Sequence, residues 1–429
     1  MKNLFLAVCL LSLVAGAADV WQISDVTMKT HAPWGNEVDV DFTLTAPDGA
    51  AADAAVKLEV FASNGVERVC CTEANVNTLY FRAGRQRLVW DPIADNPGRS
   101  FGHLTVALGL SDTAEVADDI WYMTVRMSDG HVDYHGTNFA ARVNQNLYKC
   151  RYMAFRRCPA TTSDAWKAIS GGKDYFVMGT SDPNDEVLKP RNAAAVNVRL
   201  TKDFWLGVFP VTWGQWKALG FERSTAAYKE SYKGNDYYIA MGIAYAQTRG
   251  EDNGMYCFPA SRAVDPDSYM GRLRTLTGGL PFDLPTEAQM EYAIRAGTTS
   301  KWYWGENVKG TLPEGTWEVG LGYRGVPPNA WGFYDISDAA EQWTTTLGKD
   351  ANVAYCPHVA GDDPEGETPT WSPRMRVTRG VNCVAGNAAY AQAAYRYPQI
   401  SFGGTAAELE FTGFRVCLVL PDEPSASGK

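Results

Sequence analysis

The sequence predicts an α+β chain in two parts: an N-terminal antiparallel β-sandwich and a longer C-terminal domain of short strands and capped helices. Three observations predict it. Short runs of alternating apolar and polar residues fill the chain from about residue 20 to residue 111. Helix-start signals gather after residue 200, at Thr212 with Gln215, at Asp265-Pro266 and at Thr286 with Gln289. A basic start, Met1-Lys2-Asn3, precedes a short apolar run from Leu4 to Val14, and Ala15-Gly16-Ala17 then offers a cleavage site.

Taken in order, residues 1–18 read as a cleaved signal peptide, too short an apolar run to span a bilayer. The chain is therefore expected to be secreted, periplasmic or at the cell surface. Residues 19–111 carry the strands Val38–Leu44, Val56–Val60, Arg87–Asp91 and Leu104–Leu108. Pro47-Asp-Gly49, Asn64-Gly65 and Asn96-Pro-Gly98 separate them as turns. This spacing predicts a sandwich, immunoglobulin- or fibronectin-like in general form, serving as an accessory module. Residues 112–170 are expected to form a connector, with a strand at Ile120–Arg126 and a turn at Asp129-Gly130. His131 and His135 in it are read as strand and loop residues rather than as metal ligands. Residues 171–420 form the last domain, and the polar stretch 421–429 is expected to be disordered.

Within the last domain, Phe176–Gly179 and Leu200–Gly207 read as strands. Thr212 and Gln215 make a capping box for a helix that stops at Gly220. Asp265-Pro266 starts a second helix, with Tyr269, Leu273 and Leu276 as its apolar stripe and Gly278-Gly279 as its end. Thr286 and Gln289 cap a third, which buries Met290, Ala293 and Ile294 and ends before Gly297.

Composition narrows the function. The 429 residues are 45% hydrophobic with a formal net charge of −10, and the mean hydropathy is −0.25. Those are values of a globular protein, and the acidic balance argues against nucleic acid as a partner. Twenty-one tyrosines and fourteen tryptophans suit sugar or protein recognition as well as a core. Eight of the nine cysteines lie beyond Cys9, and an exported chain permits disulfides; Cys150 and Cys158 are placed to close a loop.

Four motifs act together: Leu284-Pro-Thr-Glu-Ala-Gln-Met-Glu-Tyr-Ala-Ile-Arg-Ala-Gly297, Trp302-Tyr-Trp-Gly305, Gly332-Phe-Tyr-Asp335 and Gly413-Phe-Arg-Val416. As a set they resemble the formylglycine-generating enzyme, or sulfatase-modifying factor, family over residues 171–420. That resemblance implies a C-type-lectin-like fold. It also implies a copper-binding cysteine pair between an Arg-Gly-Gly segment and the terminal Gly-Phe-Arg, as two thiolates suit Cu(I). Here the interval from Arg379 to Arg415 holds Cys383 alone. Copper is therefore not expected, no catalytic residue is assigned, and the domain reads as degenerate at its catalytic cysteines. The resemblance further implies a metal-holding Gly-Asn-x-Trp-Glu-Trp loop. This chain has Asp338-Ala-Ala-Glu-Gln-Trp343 instead, and calcium is left to Asp335, Asp338 and Glu341 as weak candidates. Five histidines do not match the triad of the related iron-dependent sulfoxide synthases.

In this family's fold the C-terminal segment lines the ligand face. Asn382, Asn387, Tyr390, Tyr395, Arg396 and Tyr397 are therefore the expected ligand-binding residues. The function expected is that of a secreted, non-catalytic binding protein. Its ligand face is segment 380–415, and its partner a protein or carbohydrate at the cell surface. A divergent oxidase acting on a sulfatase cysteine and a structural surface protein are the alternatives.

Overall fold

The computed structural model describes residues 20–31, 35–50, 54–101, 103–111, 119–182, 184–191, 193–222, 235–250, 263–305, 318–321, 326–348, 356–365, 375–381, 388–400 and 411–420. It is mixed α/β, mostly strands with few helices. The chain divides into two compact units. One holds the residues up to Met123 together with Asp133–Phe139; the other holds Thr124–Val132 and the chain from Ala140 to Asp422.

In the first unit, β1 (Gln22–Thr30), β2 (Val38–Thr45) and β6 (Gly84–Trp90) form one antiparallel sheet with β2 central. β3 (Ala55–Ser63) pairs antiparallel with β4 (Arg68–Val69), β5 (Tyr80–Arg82) and β7 (Thr105–Leu110). The alternation read from sequence decides which side chains go in. Val38, Val40, Phe42 and Leu44 of β2 share one core with Leu88 and Trp90 of β6 and with Val56, Leu58 and Ala62 of β3. The intervening Asp41 meets Arg87, whose Nε donates to Asp41 Oδ1 at 2.6 Å. A short helix, α1 (Pro92–Asp95), starts at Asp91, whose carboxylate accepts from the Ile93 and Ala94 amides. The boundaries between the units fall within β8 (Tyr122–Arg126) and β9 (Val132–His135). His135 there stacks on Phe139 at 4.1 Å.

In the second unit, α2 (Leu147–Cys150) leads into β10 (Tyr152–Cys158). α3 (Asp164–Ser170) follows, capped by Ser163 and ended by Gly171 in the left-handed region. β11 (Phe176–Met178) and β12 (Val196–Arg199) are antiparallel neighbours. β13 (Phe204–Gly207) pairs with β10 and precedes α4 (Trp213–Ala218) and α5 (Tyr245–Arg249). α6 (Tyr269–Leu276), β14 (Phe282–Asp283) and α7 (Glu287–Arg295) come next. The remaining strands are β15 (Glu341–Leu347), β16 (Gly361–Asp362), β17 (Met375–Arg379), β18 (Arg396–Ile400), β19 (Thr412–Gly413) and β20 (Cys417–Leu418). β14, β20, β13 and β10 are successive neighbours in one larger sheet, and β11-β12-β16 and β18-β17-β15-β19 are two short sheets. The main core joins Met290, Tyr292, Ala293 and Ile294 of α7 to Phe204 and Leu206 of β13, Trp166 of α3 and Phe333.

Both expected capping boxes form, at Thr212 with Gln215 and at Thr286 with Gln289. α6 differs: its cap is Ser268, whose hydroxyl accepts from the Gly271 amide, and not Asp265. The Asp265 carbonyl instead accepts the Ser268 amide at 3.0 Å, so Asp265-Pro266 forms a turn ahead of the helix. Cys150 and Cys158 are both free thiols. The extended β10 between them carries the two apart, because a strand rises about 3.3 Å per residue, and no loop is closed. Among the described residues no helix is long and apolar enough to cross a membrane.

Candidate functional site

The site is built upward from α7. Its Thr286 hydroxyl accepts from the Gln289 amide at 3.1 Å, while Gln289 Oε1 accepts from the Thr286 amide at 2.9 Å. Eight of its nine residues are buried. A helix so enclosed gives its acidic residues no route to water, and Glu287 and Glu291, one turn apart, must find cations inside. They do. Arg379, from the end of β17, places Nη2 2.6 Å from Glu291 Oε2 and 2.9 Å from Glu287 Oε1. Arg396 donates from Nη2 to Glu287 Oε2 at 2.7 Å. Arg295 donates from Nε to Glu291 Oε1 at 2.9 Å. Burial alone would raise both carboxyls, but Arg396 and Arg379 beside Glu287, and Arg379 and Arg295 beside Glu291, outweigh it and hold both below the usual carboxylate range. Gly179 completes the frame. Its amide donates to Glu291 Oε1 at 2.7 Å, and at φ +93° a Cβ there would lie 2.5 Å from the Ala194 carbonyl oxygen.

The arginines that answer α7 hold the C-terminal segment. Arg379 Nη1 donates to the Ala393 and Tyr395 carbonyls at 3.0 and 3.1 Å. Arg396 is 1% exposed and also donates to the Cys356 carbonyl, so this residue, expected to face a ligand, is committed to the interior. Tyr395 is also buried; its ring packs 5.3 Å from Tyr390 and lies under the Arg191 guanidinium at 4.3 Å. Tyr390 is half-buried, and Tyr397 is exposed with Arg191 5.6 Å above its ring. Of the six expected contact residues, then, Tyr397 is exposed and Tyr390 partly so. Asn382 and Asn387 lie outside the described residues, as does Cys383.

Of the weak calcium candidates, Asp335 and Asp338 lie close enough for their charges to interact, and Glu341 faces Thr378. Asp335, at φ +53°, accepts the Gly320 amide at 2.7 Å. Asp338 is fully buried; its Oδ1 accepts from the Tyr303 hydroxyl at 3.3 Å, and its Oδ2 has no partner. Burial first, and then the charge of Asp335, push the Asp338 carboxyl well above its ordinary value. Glu341 faces Thr378, 3.5 Å away, and burial pushes its carboxyl up to about 7. Among the described residues no group of three His, Cys, Asp or Glu is arranged to hold a metal. Arg415 lies near enough to Asp335 and Asp338 to interact with their charge, and it donates to Gln342 Oε1 at 2.7 Å, to the Gly207 and Val208 carbonyls at 2.8 and 2.7 Å, and to the Tyr334 carbonyl. Gln342 needs an amide here. Its oxygen accepts from Arg415, while its nitrogen donates to the Ile336 carbonyl at 3.1 Å, which a carboxylate could not do.

The Sulfatase-modifying factor enzyme 1-like domain family matches residues 155–419. The chain belongs to this family. It is 34% identical over 97 residues to the formylglycine-generating enzyme of Mycobacterium tuberculosis, an alignment covering 19% of this chain and 30% of that relative's length. The PvdO structure from Pseudomonas aeruginosa is similar with a TM-score of 0.43 and 19% identity, over 62% of this chain and 94% of that one. The family's copper pair is not met by the donors at hand. Cys383 is the single thiol between Arg379 and Arg415. Cys417, the next one along, is buried in the apolar core with Cys158. No chemical step through copper follows from this donor set.

Sequence reasoning placed α7 but missed its two carboxylates. The signal was available: an acidic pair at i and i+4 flanking Met290, with three arginines (Arg379, Arg396 and Arg415) later in the chain. It also passed over Gln392, which is 5% exposed.

Proposed function

We propose that this chain is a secreted, non-catalytic binding protein. It keeps the sulfatase-modifying factor frame, in a C-type-lectin-like form, and has lost the oxidase chemistry. The observation that carries the reading is the single thiol, Cys383, in the interval where the family places a copper-binding pair. Segment 380–415 forms the ligand face, with Tyr390 and Tyr397 as contact residues and Asn382 and Asn387 beside them. Tyrosine brings contact area at low entropic cost, and the Arg191 guanidinium over Tyr397 limits what that ring loses on binding. The N-terminal unit serves as a sandwich-type accessory module. The partner is a protein or a carbohydrate outside the cell.

The full chain, purified after export, should bind reproducibly on combined glycan and extracellular-protein arrays. Tyr397→Ala should weaken that binding about tenfold or more, as expected of an aromatic anchor. The same preparation should bind Cu(I) no more tightly than its Cys383→Ser variant does. Tight copper binding abolished by Cys383→Ser, with formylglycine formed on a cysteine peptide, would transfer the protein to the oxidase class.

A further inference from the structure

We infer that the second unit carries a pocket for the free C-terminal end of an extended polypeptide, one that finishes in an apolar residue. The pocket is set by the open edge of β11. Among the described residues this strand ends its sheet and is paired on one side only, Phe176 with Val198, Val177 with Asn197 and Met178 with Val196 of β12. An antiparallel ladder that begins at Phe176 and stops at Met178 has those two as its hydrogen-bonded pairs. The N–H and C=O of Val177 between them therefore point away from β12. On that edge both neighbouring positions are taken. Trp166 Nε1 donates to the Tyr175 carbonyl at 3.3 Å. The Gly179 amide donates to Glu291 Oε1 at 2.7 Å, and the Gly179 carbonyl accepts from Arg295 Nη2 at 2.8 Å. Val177 lies between these two closures, is 39% exposed, and receives no hydrogen bond from that side among the described residues.

The same stretch lines a cavity of about 500 Å³, with Tyr175, Phe176, Val177 and Gly179 from β11 and its flanks, Trp166 and Ile169 from α3, and the loop after α7. Its volume is in the range of small-ligand pockets. The occupant follows from the wall. The unused N–H and C=O of one strand residue are matched by the main chain of an extended peptide, which returns one acceptor and one donor. Trp166 on one side and the Glu291–Arg295 pair on the other close the edge, so one guest residue can pair there. A chain end fits such a gap, and a strand running through does not. The rings of Trp166, Phe176 and Tyr292 and the 51% exposed Ile169 give the last side chain of the guest an apolar seat. The charges of the wall call for one anion. Lys301 is paired with Asp185 at 3.0 Å and Asp182 at 3.6 Å, and Arg295 with Glu291 at 2.8 Å. Lys173 makes no ion pair among the described residues and lies 5.8 Å from the Tyr175 ring, so it is the cation left to meet a terminal carboxylate. Most hydroxyls of the wall are engaged locally. Ser170, Thr298 and Ser300 donate to the Lys173, Arg295 and Trp302 carbonyls, Tyr292 donates to the Pro159 carbonyl, and Thr180 Oγ1 accepts the Asp182 amide. Tyr175, Ser181 and Thr299 are the others, and as donors they suit a carboxylate. The site goes beyond the Tyr390–Tyr397 face and shares neither tyrosine with it.

The test is fluorescence polarisation on the full chain with fluorescein-labelled hexapeptides of Gly and Ser that end in Leu, Val or Phe, each made as the free acid and as the C-terminal amide. At least one acid should bind saturably, and its amide should bind about tenfold more weakly, the loss of a charge-assisted contact. Lys173→Gln should weaken the acid by a similar factor and leave the amide unchanged. Val177→Pro removes the edge N–H at a position where a strand tolerates proline. It should weaken acid and amide alike, about tenfold or more, with a melting temperature near that of the wild type. If that variant fails to fold, N-methylation of the probe decides: a methyl group on one of its last two amide nitrogens removes the hydrogen offered to the Val177 carbonyl and should abolish binding to the unaltered chain. No saturable binding of any acid to the folded chain, equal binding of acid and amide, or binding that survives both Val177→Pro and N-methylation overturns the proposal. Peptide binding lost in Tyr397→Ala and kept in Val177→Pro would place the peptide on the surface face and refute this pocket.

Discussion

Two buried charge clusters lie in the same unit, and they are balanced in opposite ways. Around α7, Glu287 and Glu291 face Arg295, Arg379 and Arg396, and every carboxylate has a guanidinium within 3 Å. Around β15, Asp335 and Asp338 face Arg415, which spends its donors on Gln342 and main-chain carbonyls. In the first cluster attraction outweighs burial and the acids stay ionised; in the second burial wins and Asp338 is pushed toward its neutral form. The first cluster is a mechanical joint between α7 and the C-terminal segment. The second surrounds the stretch Asp338-Ala-Ala-Glu-Gln-Trp343, where burial raises the Asp338 carboxyl and Gln342 supplies an amide oxygen to Arg415.

The largest way to break this contrast is Arg379→Met. It removes the guanidinium shared by Glu287 and Glu291 and the two hydrogen bonds to the Ala393 and Tyr395 carbonyls. Stranding buried carboxylates typically costs about 3–5 kcal/mol, and chemical denaturation should report a loss of that order. Pairing it with Glu291→Gln should cost less than the sum of the two single changes, since one stranded charge is then gone. A loss below about 1 kcal/mol would mean the joint is decorative.

The next effect is a pH slope. Glu341 is pushed up to about 7 in the folded state by burial, against about 4.3 in an unfolded chain. A raised acid favours the fold fully below the unfolded value, and that contribution is lost as pH rises through the folded one. Between pH 4.5 and 7 it should decline by roughly 3 kcal/mol in the limit of no relaxation. Glu341→Gln should flatten the slope of stability across that window. Equal slopes for the two proteins, measured by urea denaturation at several pH values, would show that Glu341 ionises in place at no cost.

How far the molecule could be read in advance follows the same division. The capping boxes at Thr212 and Thr286 were legible because they are local: a hydroxyl, three residues and an amide. α3 was missed although Ser163 and Gly171 bracket it, because it is only two turns long and carries one buried apolar residue, Trp166. Asp265-Pro266 misled because a cap followed by proline also describes a turn, and Ser268 three residues later made the better cap. The exposed Tyr397 and the buried Arg396 are adjacent in sequence and looked equally suited to a ligand. What separates them is Glu287, more than a hundred residues earlier, and no local pattern carries that pairing. Gln392 was invisible for the same reason, since an amide is notable only once its surroundings fail to satisfy it.

The smallest effect is the sharpest test of the contrast, because the two clusters should respond to one chemical change with opposite slopes. Asp338→Asn replaces a carboxyl that burial already keeps close to neutral with its uncharged isostere, and the Tyr303 hydroxyl keeps an oxygen to donate to. The change in stability near pH 5 should be within about 1 kcal/mol. As pH rises the wild type loses the contribution of a raised acid and the variant does not, so Asp338→Asn should gain relative to wild type toward pH 8. Glu291→Gln runs the other way. Its carboxyl is held low by Arg379 and Arg295 once burial is outweighed, so its contribution is present above the unfolded carboxylate value and fades as pH falls. The deficit of Glu291→Gln should therefore be greatest near neutrality and shrink below about pH 4. Parallel pH profiles for the two variants, from thermal or urea unfolding, would mean that the two clusters are electrostatically alike.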